Sequence, residues 1–268
     1  MTPAPENQTA AESRASQLIK EAQSAVALSG AGISTPSGIP DFRTAGSGLW
    51  TRFNPLEVAS LSAFRYHPRR FYEWLRPLAS HMLSAQPNPA HQALAELESS
   101  GYIQAVITQN IDTLHQRAGS QNVLEVHGTF ESLTCSTCFS QLKTGEVVLK
   151  NFIEGGEIPR CPQCGEILKP DVVLFGEQLP AKIWQQARNI SRGCDVMLVL
   201  GSSLTVFPVS DLPESALQYG AKLIIINQME THLDQAAEVV IHGDLEEILP
   251  KIKERLIHGQ AKNQGLTA

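Results

Sequence analysis

The chain contains no apolar run near the roughly 18 residues that a bilayer-spanning helix requires; stretches such as VMLVLG and KLIIIN are of strand length. Positive charge is also scarce: 21 Lys and Arg stand against 27 Asp and Glu, giving a net charge of -6. That balance argues against tight, unspecific nucleic-acid binding, which depends on cations neutralising phosphates. The opening MTPAPENQTAAES has neither a basic region nor an apolar stretch, so it does not read as a secretory signal. Glu6 and Glu12 weigh against a transit peptide, and a cytoplasmic protein is the expectation. No internal repeat is visible. Cysteine is limited to Cys135, Cys138, Cys161, Cys164 and Cys194. Disulfides are disfavoured in a reducing compartment, and four of the five fall in two CxxC pairs, a metal-binding spacing.

What is present is an α/β rhythm. The 268 residues, 42% hydrophobic, suffice for one large core or a large domain with a smaller one attached. Residues 1–10 are expected to be a disordered tail, followed by an amphipathic helix in AESRASQLIKEAQS with Ala15, Leu18, Ile19 and Ala22 on one face. AVALSGAG reads as a strand over Ala25–Leu28 that breaks into glycines. A loop punctuated by Pro and Gly comes next, then helical pieces from 57 to 84. Asn88 is placed to cap a helix with Pro89 in its first turn, and Gly101–Ile107 reads as a buried strand. Residues 131–168 hold the paired cysteines and several turn signals. Thereafter PDVVLFG reads as extended, PAKIWQQARNISRG and SDLPESALQYG as helices, DVMLVLG, AKLIIIN and AEVVIHG as strands, and LEEILPKIKERLI as a last helix. Alternating strands and helices imply a parallel sheet covered on both faces.

Five constellations carry chemistry. The first is SGAGISTPSGIPDFR, in which Gly30 and Gly32 follow a buried strand, so that backbone N–H groups could cradle a phosphate. The next glycine is Gly38, so the GxGxxG fingerprint fails at its third position, and a bare GxG is equally a tight turn. Asp41, Phe42 and Arg43 add a charge, an aromatic wall and a bidentate cation. The second is TQNIDTLHQRAG, where a strand end presents Gln109, Asn110 and Asp112 around the apolar Ile111. Amides and a carboxylate suit ribose hydroxyls and a carboxamide, or they cap the following helix. The third is His127 in VLEVHGTF: a base near neutral pH, or a structural histidine like His91, His115 and His242. In the fourth, Cys135-x-x-Cys138 and Cys161-x-x-Cys164, separated by 22 residues, are expected to hold one tetrahedral Zn²⁺. Four cysteine ligands leave no open position, so that zinc is structural, while Cys194 is a buried small residue. The fifth is a pair of further strand ends: Gly201, Ser202 and Ser203, and Asn227.

Taken together, GAGISTPSGIPDFR, TQNIDTLHQRAG, VHGTF, the two CxxC pairs, KPDVVLFGE, GSSLTVFP and IIIN resemble, in order, the sirtuin family of NAD-dependent protein deacylases, over roughly residues 12–255. The likeness is to bacterial or archaeal members. It implies an α/β fold: a Rossmann-like parallel sheet with helices on both faces, formed by 11–43, 86–130 and 169–258. A small domain would combine the helical segment 44–85 with the zinc segment 131–168, and 259–268 would be a tail. NAD, consumed as a co-substrate, would contact Gly30, Ala31, Gly32, Thr35, Asp41, Phe42, Arg43, Gln109, Asn110, Ile111, Asp112 and His127. Gly201, Ser202, Ser203 and Asn227 would hold its adenosine half. An acyl-lysine peptide would add as a strand between VVLFGE and TVFP, against Val173, Phe175, Gly176 and Val206.

The family chemistry implies that the acyl oxygen attacks C1′ of the nicotinamide ribose and nicotinamide leaves. His127, the catalytic base, then deprotonates a ribose hydroxyl, so that lysine and O-acetyl-ADP-ribose result. Asn110 and Asp112 share the catalytic set. Phe42 would shield the reactive face. Family members that remove succinyl or malonyl groups carry Tyr-x-x-Arg. Here Tyr72 is followed by Leu75 at that spacing, and Arg76 is rotated by about 100° around the helix. Deacetylation, with room for longer apolar chains, is therefore expected over desuccinylation. Leu174 departs from the aromatic residue many members have there. The sequence also fits a monomer without direct nucleic-acid or membrane partners. An NAD-dependent protein ADP-ribosyltransferase would use the same site and is the alternative reading.

Overall fold

The computed structural model describes residues 5–42, 44, 46, 48–144 and 146–264. In chain order the elements are α1 (Pro5–Glu21), β1 (Ala25–Ser29), α2 (Pro55–Val58), α3 (Leu61–Tyr66), α4 (Pro68–Ser84), α5 (Pro89–Ser99), β2 (Ala105–Thr108) and α6 (Leu114–Ala118). They continue with β3 (Val123–Glu125), β4 (Gly128–Cys135), β5 (Gln141–Lys143), α7 (Glu146–Gly155), β6 (Leu168–Val172), α8 (Ala181–Gly193), β7 (Val196–Leu200), α9 (Asp211–Gln218), β8 (Lys222–Ile226), β9 (Val239–Ile241) and α10 (Leu245–Gln264).

Six strands form one parallel sheet in the order β3-β2-β1-β7-β8-β9. The alternation of strand side chains divides the core. Ala25, Ala27, Leu198, Leu200, Ile224 and Ile226 face one side with α1, α5 and α10. Val26, Leu28, Met197, Val199, Leu223 and Ile225 face the other with α8 and α9. Every residue of β1, β2 and β7 is buried, which explains why these strands read as unbroken apolar runs. Strand order reverses between β1 and β7, and in open sheets of this kind the crevice at the carboxyl ends of such a pair is the ligand-binding position.

A second sheet, β5-β4-β6, is antiparallel. It packs with α3, α4 and α7 around a third core that includes Phe64, Phe71, Tyr72, Leu75, Phe130 and Phe152. The two paired-cysteine turns sit at its far end, with Cys135 opposite Leu168.

Two sequence expectations change. Residues 5–10 are helical rather than a tail: Pro5 suits a first turn, and neither Gly nor Pro interrupts the helix before Glu21. The strand expected over Gly101–Ile107 begins only at Ala105. Gly101 takes a left-handed φ of 80°, and Tyr102 and Ile103 both donate backbone N–H groups to Leu97 O, ending α5, so pairing starts later. The cap at Asn88 stands as read. Its Oδ1 accepts from Ala90 N at 3.0 Å, and His91 Nδ1 accepts from Asn88 N at 3.4 Å, a reciprocal capping box.

Candidate active site

A cavity of about 820 Å³ opens at the carboxyl ends of the parallel strands and reaches across to α4 and the stretch after β6. Every residue expected from the sequence to touch cofactor or peptide lines it, apart from Arg43, which lies outside the described residues. Each strand delivers its share: Gly30 and Gly32 after β1, Gln109 to Asp112 after β2, His127 after β3, Gly201 to Ser203 after β7 and Asn227 after β8.

The glycines are there because two loops touch backbone to backbone. Gly32 N donates to Gly201 O at 2.9 Å, and Gly201 has a left-handed φ of 59°. A Cβ on Gly201 would stand 2.5 Å from Ile33 N. Instead of entering a long helix, the loop after β1 runs through two short 3-10 turns, Ala31–Ile33 and Thr35–Ser37, which is the structural counterpart of the broken fingerprint. Gly128 has its own reason. Its φ is 76°, and a Cβ there would collide with Asp171 O at 2.0 Å, so only glycine lets β6 pair beside His127.

The polar groups form a directed network. Asp112 Oδ1 accepts from Leu114 N at 2.9 Å, and its Oδ2 accepts from Ser34 Oγ at 2.7 Å. Asp112 therefore caps α6, as one reading of the sequence has it, and also lines the cavity. The next residue, Thr113, is held at a φ of 61°, a conformation unfavourable for a β-branched side chain and found where surroundings over-determine it. Burial raises the pKa of Asp112, opposed by the Leu114 N–H and the Ser34 hydroxyl. Asn110 Nδ2 donates to Ser34 Oγ at 3.1 Å and to Gly30 O at 3.2 Å, which leaves Oδ1 as the amide's acceptor. Gln109 Nε2 donates to Ser202 Oγ at 3.0 Å.

Behind these groups lie two buried histidines, 4.9 Å between ring centroids. His91 Nδ1 takes the Asn88 N–H, so its proton sits on Nε2, directed at Ser34 Oγ 3.5 Å away. Ser29 Oγ donates to Thr108 Oγ1 at 2.9 Å, so it must accept from His115 Nε2 at 2.8 Å. Both rings are held neutral: burial lowers the pKa of His91 to about 4 and that of His115 well below the ordinary value.

His127 is half-buried. Its Nδ1 lies 3.0 Å from Gln109 O, a pure acceptor, so Nδ1 carries the proton and Nε2 keeps its lone pair. Burial lowers its pKa, partly offset by that carbonyl, so the ring is neutral at pH 7.

Sequence reasoning missed the apolar walls. Phe71, Leu75, Leu78 and Met82 of α4 line the cavity at i, i+4, i+7 and i+11, a spacing that reads equally as plain core. Ser34 lies inside the glycine motif, where the sequence gives it no role of its own. Trp50 and Trp74 carried no sequence signal at all. Arg76 turns away as expected, with Nε donating to Ile153 O at 2.7 Å, while the Tyr72 hydroxyl donates to Leu168 O. Among the described lining residues the charged side chains are Asp41, Asp112, Glu177 and Asp244, with no Lys or Arg.

The four paired cysteines converge: all their Sγ atoms lie within 4.8 Å of one another, and the nearest pairs are 3.5, 3.5 and 3.7 Å apart. A tetrahedral zinc with Zn–S bonds near 2.3 Å requires sulfur separations of roughly 3.8 Å, so this donor set fits a zinc ion after small relaxation. Cys194 is far from this set in the fold, buried beside α8, with its Sγ donating to Ser191 O at 3.3 Å and its pKa raised by burial to about 11.

Residues 30–208 match the Sir2 family. The chain is 47% identical over 222 residues to the NAD-dependent protein deacylase 2 of Archaeoglobus fulgidus, covering 82% of this chain and 86% of that protein. It is 43% identical over 217 residues to the NAD-dependent protein deacetylase of Thermotoga maritima, covering 81% and 87%. Among solved structures, a Sir2 variant with a deacetylated p53 peptide and 3′-O-acetyl-ADP-ribose superposes with a TM-score of 0.86 at 40% identity, covering 91% of this chain and 97% of that one. A Sir2 complex with p53 peptide and NAD⁺ gives 0.81 at 40% identity, with the same coverage.

Proposed function

This chain belongs to the Sir2 family, and from that premise we propose how its residues carry out NAD-dependent deacylation of protein lysines. The fold, the use of NAD and the four-cysteine zinc set are those of the family. The observation that carries the residue assignment is His127: a neutral imidazole, proton fixed on Nδ1, whose free Nε2 belongs to the cavity that also holds Asn110 and Asp112.

When bound, NAD supplies the ribose carbon from which nicotinamide departs and the 2′-hydroxyl that finally carries the acyl group. His127 Nε2 takes the proton from a ribose hydroxyl, and the resulting imidazolium is stabilised through Nδ1 by Gln109 O. Asn110 and Asp112, locked by Ser34, orient the nicotinamide end. The Gly30–Gly32 loop faces the phosphates, and Gly201, Ser202, Ser203 and Asn227, whose Nδ2 is fixed on Met229 O at 2.7 Å, hold the adenosine half. Phe42, with Ile111, keeps water from the reacting ribose face. The peptide lies between Val206 and the run Val173, Phe175, Gly176; acyl-lysine enters toward α4.

Asp41, Thr35 and Ala31 complete the cofactor wall, with Arg43 as a phosphate partner. The large domain is assigned to 11–43, 86–130 and 169–258, and at its edges β4 and β6 pair in the second sheet. The zinc is structural because all four of its ligands are cysteines. Acetyl and apolar acyl groups suit a floor of Phe71, Leu75, Leu78 and Met82, whereas no Lys or Arg among the described residues lining the cavity could pair with a succinyl carboxylate. A cytoplasmic monomer is part of this proposal. No described helix is long and apolar enough to cross a membrane.

The test is mass spectrometry of protein incubated with NAD and acetyl- or succinyl-lysine peptides. Nicotinamide, deacetylated peptide and O-acetyl-ADP-ribose in equal amounts, with succinyl peptide turned over at least tenfold more slowly, supports this reading. Nicotinamide release with ADP-ribose transferred to protein and the peptide still acetylated supports the transferase instead.

A further inference from the structure

Trp50 lies outside the assigned site residues, yet its ring touches three walls of the cavity. It stacks on Phe42 of the glycine loop, with centroids 5.1 Å apart and planes at 27°. Its other neighbour in the stack is Trp74 of α4, at 5.8 Å and 16°. Phe175, in the stretch after β6, meets it edge-on at 6.0 Å and 69°. The backbone reinforces the first contact: Trp50 N donates to Phe42 O at 2.9 Å, and Leu49 N to Asp41 O at 3.0 Å. Phe175 is itself anchored, its N–H donating to Ala59 O and its carbonyl accepting from Leu61 N, both at 3.0 Å.

We propose that Trp50 is a positioning residue that fixes the Phe42 ring over the nicotinamide half of the cavity and ties that position to the peptide wall through Phe175. This rests on the deacylase reading of the cavity. Phe42 belongs to the cofactor side and Phe175 to the peptide side, and the described contacts join them through this one indole. An acyl-peptide pressing on Phe175 and Trp74 therefore bears on the ring that Phe42 rests against. Offset-stacked and edge-on aromatic pairs are favourable beyond the area they bury, so losing the flat face costs more than losing volume. The effect expected from one such pair is a change of about two- to tenfold.

The experiment compares wild type with Trp50→Phe, which keeps a flat ring, and Trp50→Leu, which keeps apolar bulk without one. NAD affinity is measured by calorimetry with and without saturating acetyl-lysine peptide, alongside the ratio of nicotinamide released to peptide deacetylated. In wild type the peptide should tighten NAD binding and the ratio should be one. In Trp50→Leu the tightening should fall about fivefold and the ratio rise above one, with peptide affinity measured without NAD within twofold of wild type. Trp50→Phe should restore both readouts to within twofold. An unchanged coupling and ratio in Trp50→Leu overturns the proposal, as does an equal loss in both variants, which marks Trp50 as mere packing. Wild-type protein that binds no NAD would overturn the reading of the cavity itself, and is told apart because no variant is needed to see it.

Discussion

His127 Nδ1 donates to the carbonyl oxygen of Gln109 at 3.0 Å, so the strand end that presents the amides also sets the tautomer of the base. Burial lowers the pKa of this ring below its ordinary 6.5. A base is active when unprotonated, so activity should be full at pH 7 and fall only on acidification through a pKa below 6.5. The acid limb of kcat/KM for the acyl-peptide measures this. An apparent pKa clearly above 6.5 assigned to His127 would contradict the buried, neutral ring.

Ser34 donates to Asp112 and accepts from Asn110 with a single hydroxyl. Ser34→Ala should leave the buried Asp112 carboxylate short of a donor, at a cost of about 1–3 kcal/mol. That corresponds to a loss of roughly five- to 150-fold in kcat/KM for NAD, with peptide affinity little changed. Steady-state kinetics with each substrate varied in turn check it, and an equal effect on both substrates would argue for general loosening.

How much of this was legible in the sequence differs from group to group. The parallel sheet followed from alternating apolar strands and amphipathic helices, because strands buried on both faces leave no polar alternation to misread. Gln109, Asn110, Asp112 and His127 were visible as polar residues at the carboxyl ends of strands, although the sequence alone could not separate a ligand role from helix capping, which Asp112 does perform. Ser34, His91 and His115 were not: their roles depend on contacts between segments 57 to 86 residues apart. The α4 wall was hidden because a cavity lined by Leu and Phe has the same 3.6-residue signature as a filled core. Gly101–Gln104 was misread as strand because Ile103 looks apolar in either setting, although its N–H belongs to the end of α5.

Neutral burial of His91, His115 and His127 also makes stability depend on pH. Each has a folded pKa below its unfolded value, so below pH 6.5 the unfolded chain binds more protons and stability falls. For His91, lowered to about 4, the loss over the whole window is about 3 kcal/mol. Asp112 and Glu125, whose pKa values burial raises, act with the opposite sign at the acid end, so the decline should set in below pH 6.5 and flatten toward strong acid. Urea unfolding at pH 7.5 and 5.5 tests the direction; equal or greater stability at pH 5.5 would contradict it.

The zinc cysteines lie outside the cavity, but β4 and β6 connect them to it. Cys135 pairs with Leu168 at one end of this ribbon, and Gly128, next to His127, pairs with Val172 at the other. Cys161→Ser should release zinc, lower the melting temperature and cut peptide turnover more than tenfold. Metal analysis with calorimetry checks this, and a zinc-free variant of unchanged stability and activity would refute a structural role.

The most direct measurement is isotope exchange in His127→Ala. If His127 removes a ribose proton after nicotinamide has left, the variant should still exchange labelled nicotinamide into NAD in the presence of acetyl-lysine peptide, while deacetylation falls by at least a hundredfold, the scale of general-base catalysis. Exchange and deacetylation lost together, or deacetylation retained, would contradict His127 as the base for the second step.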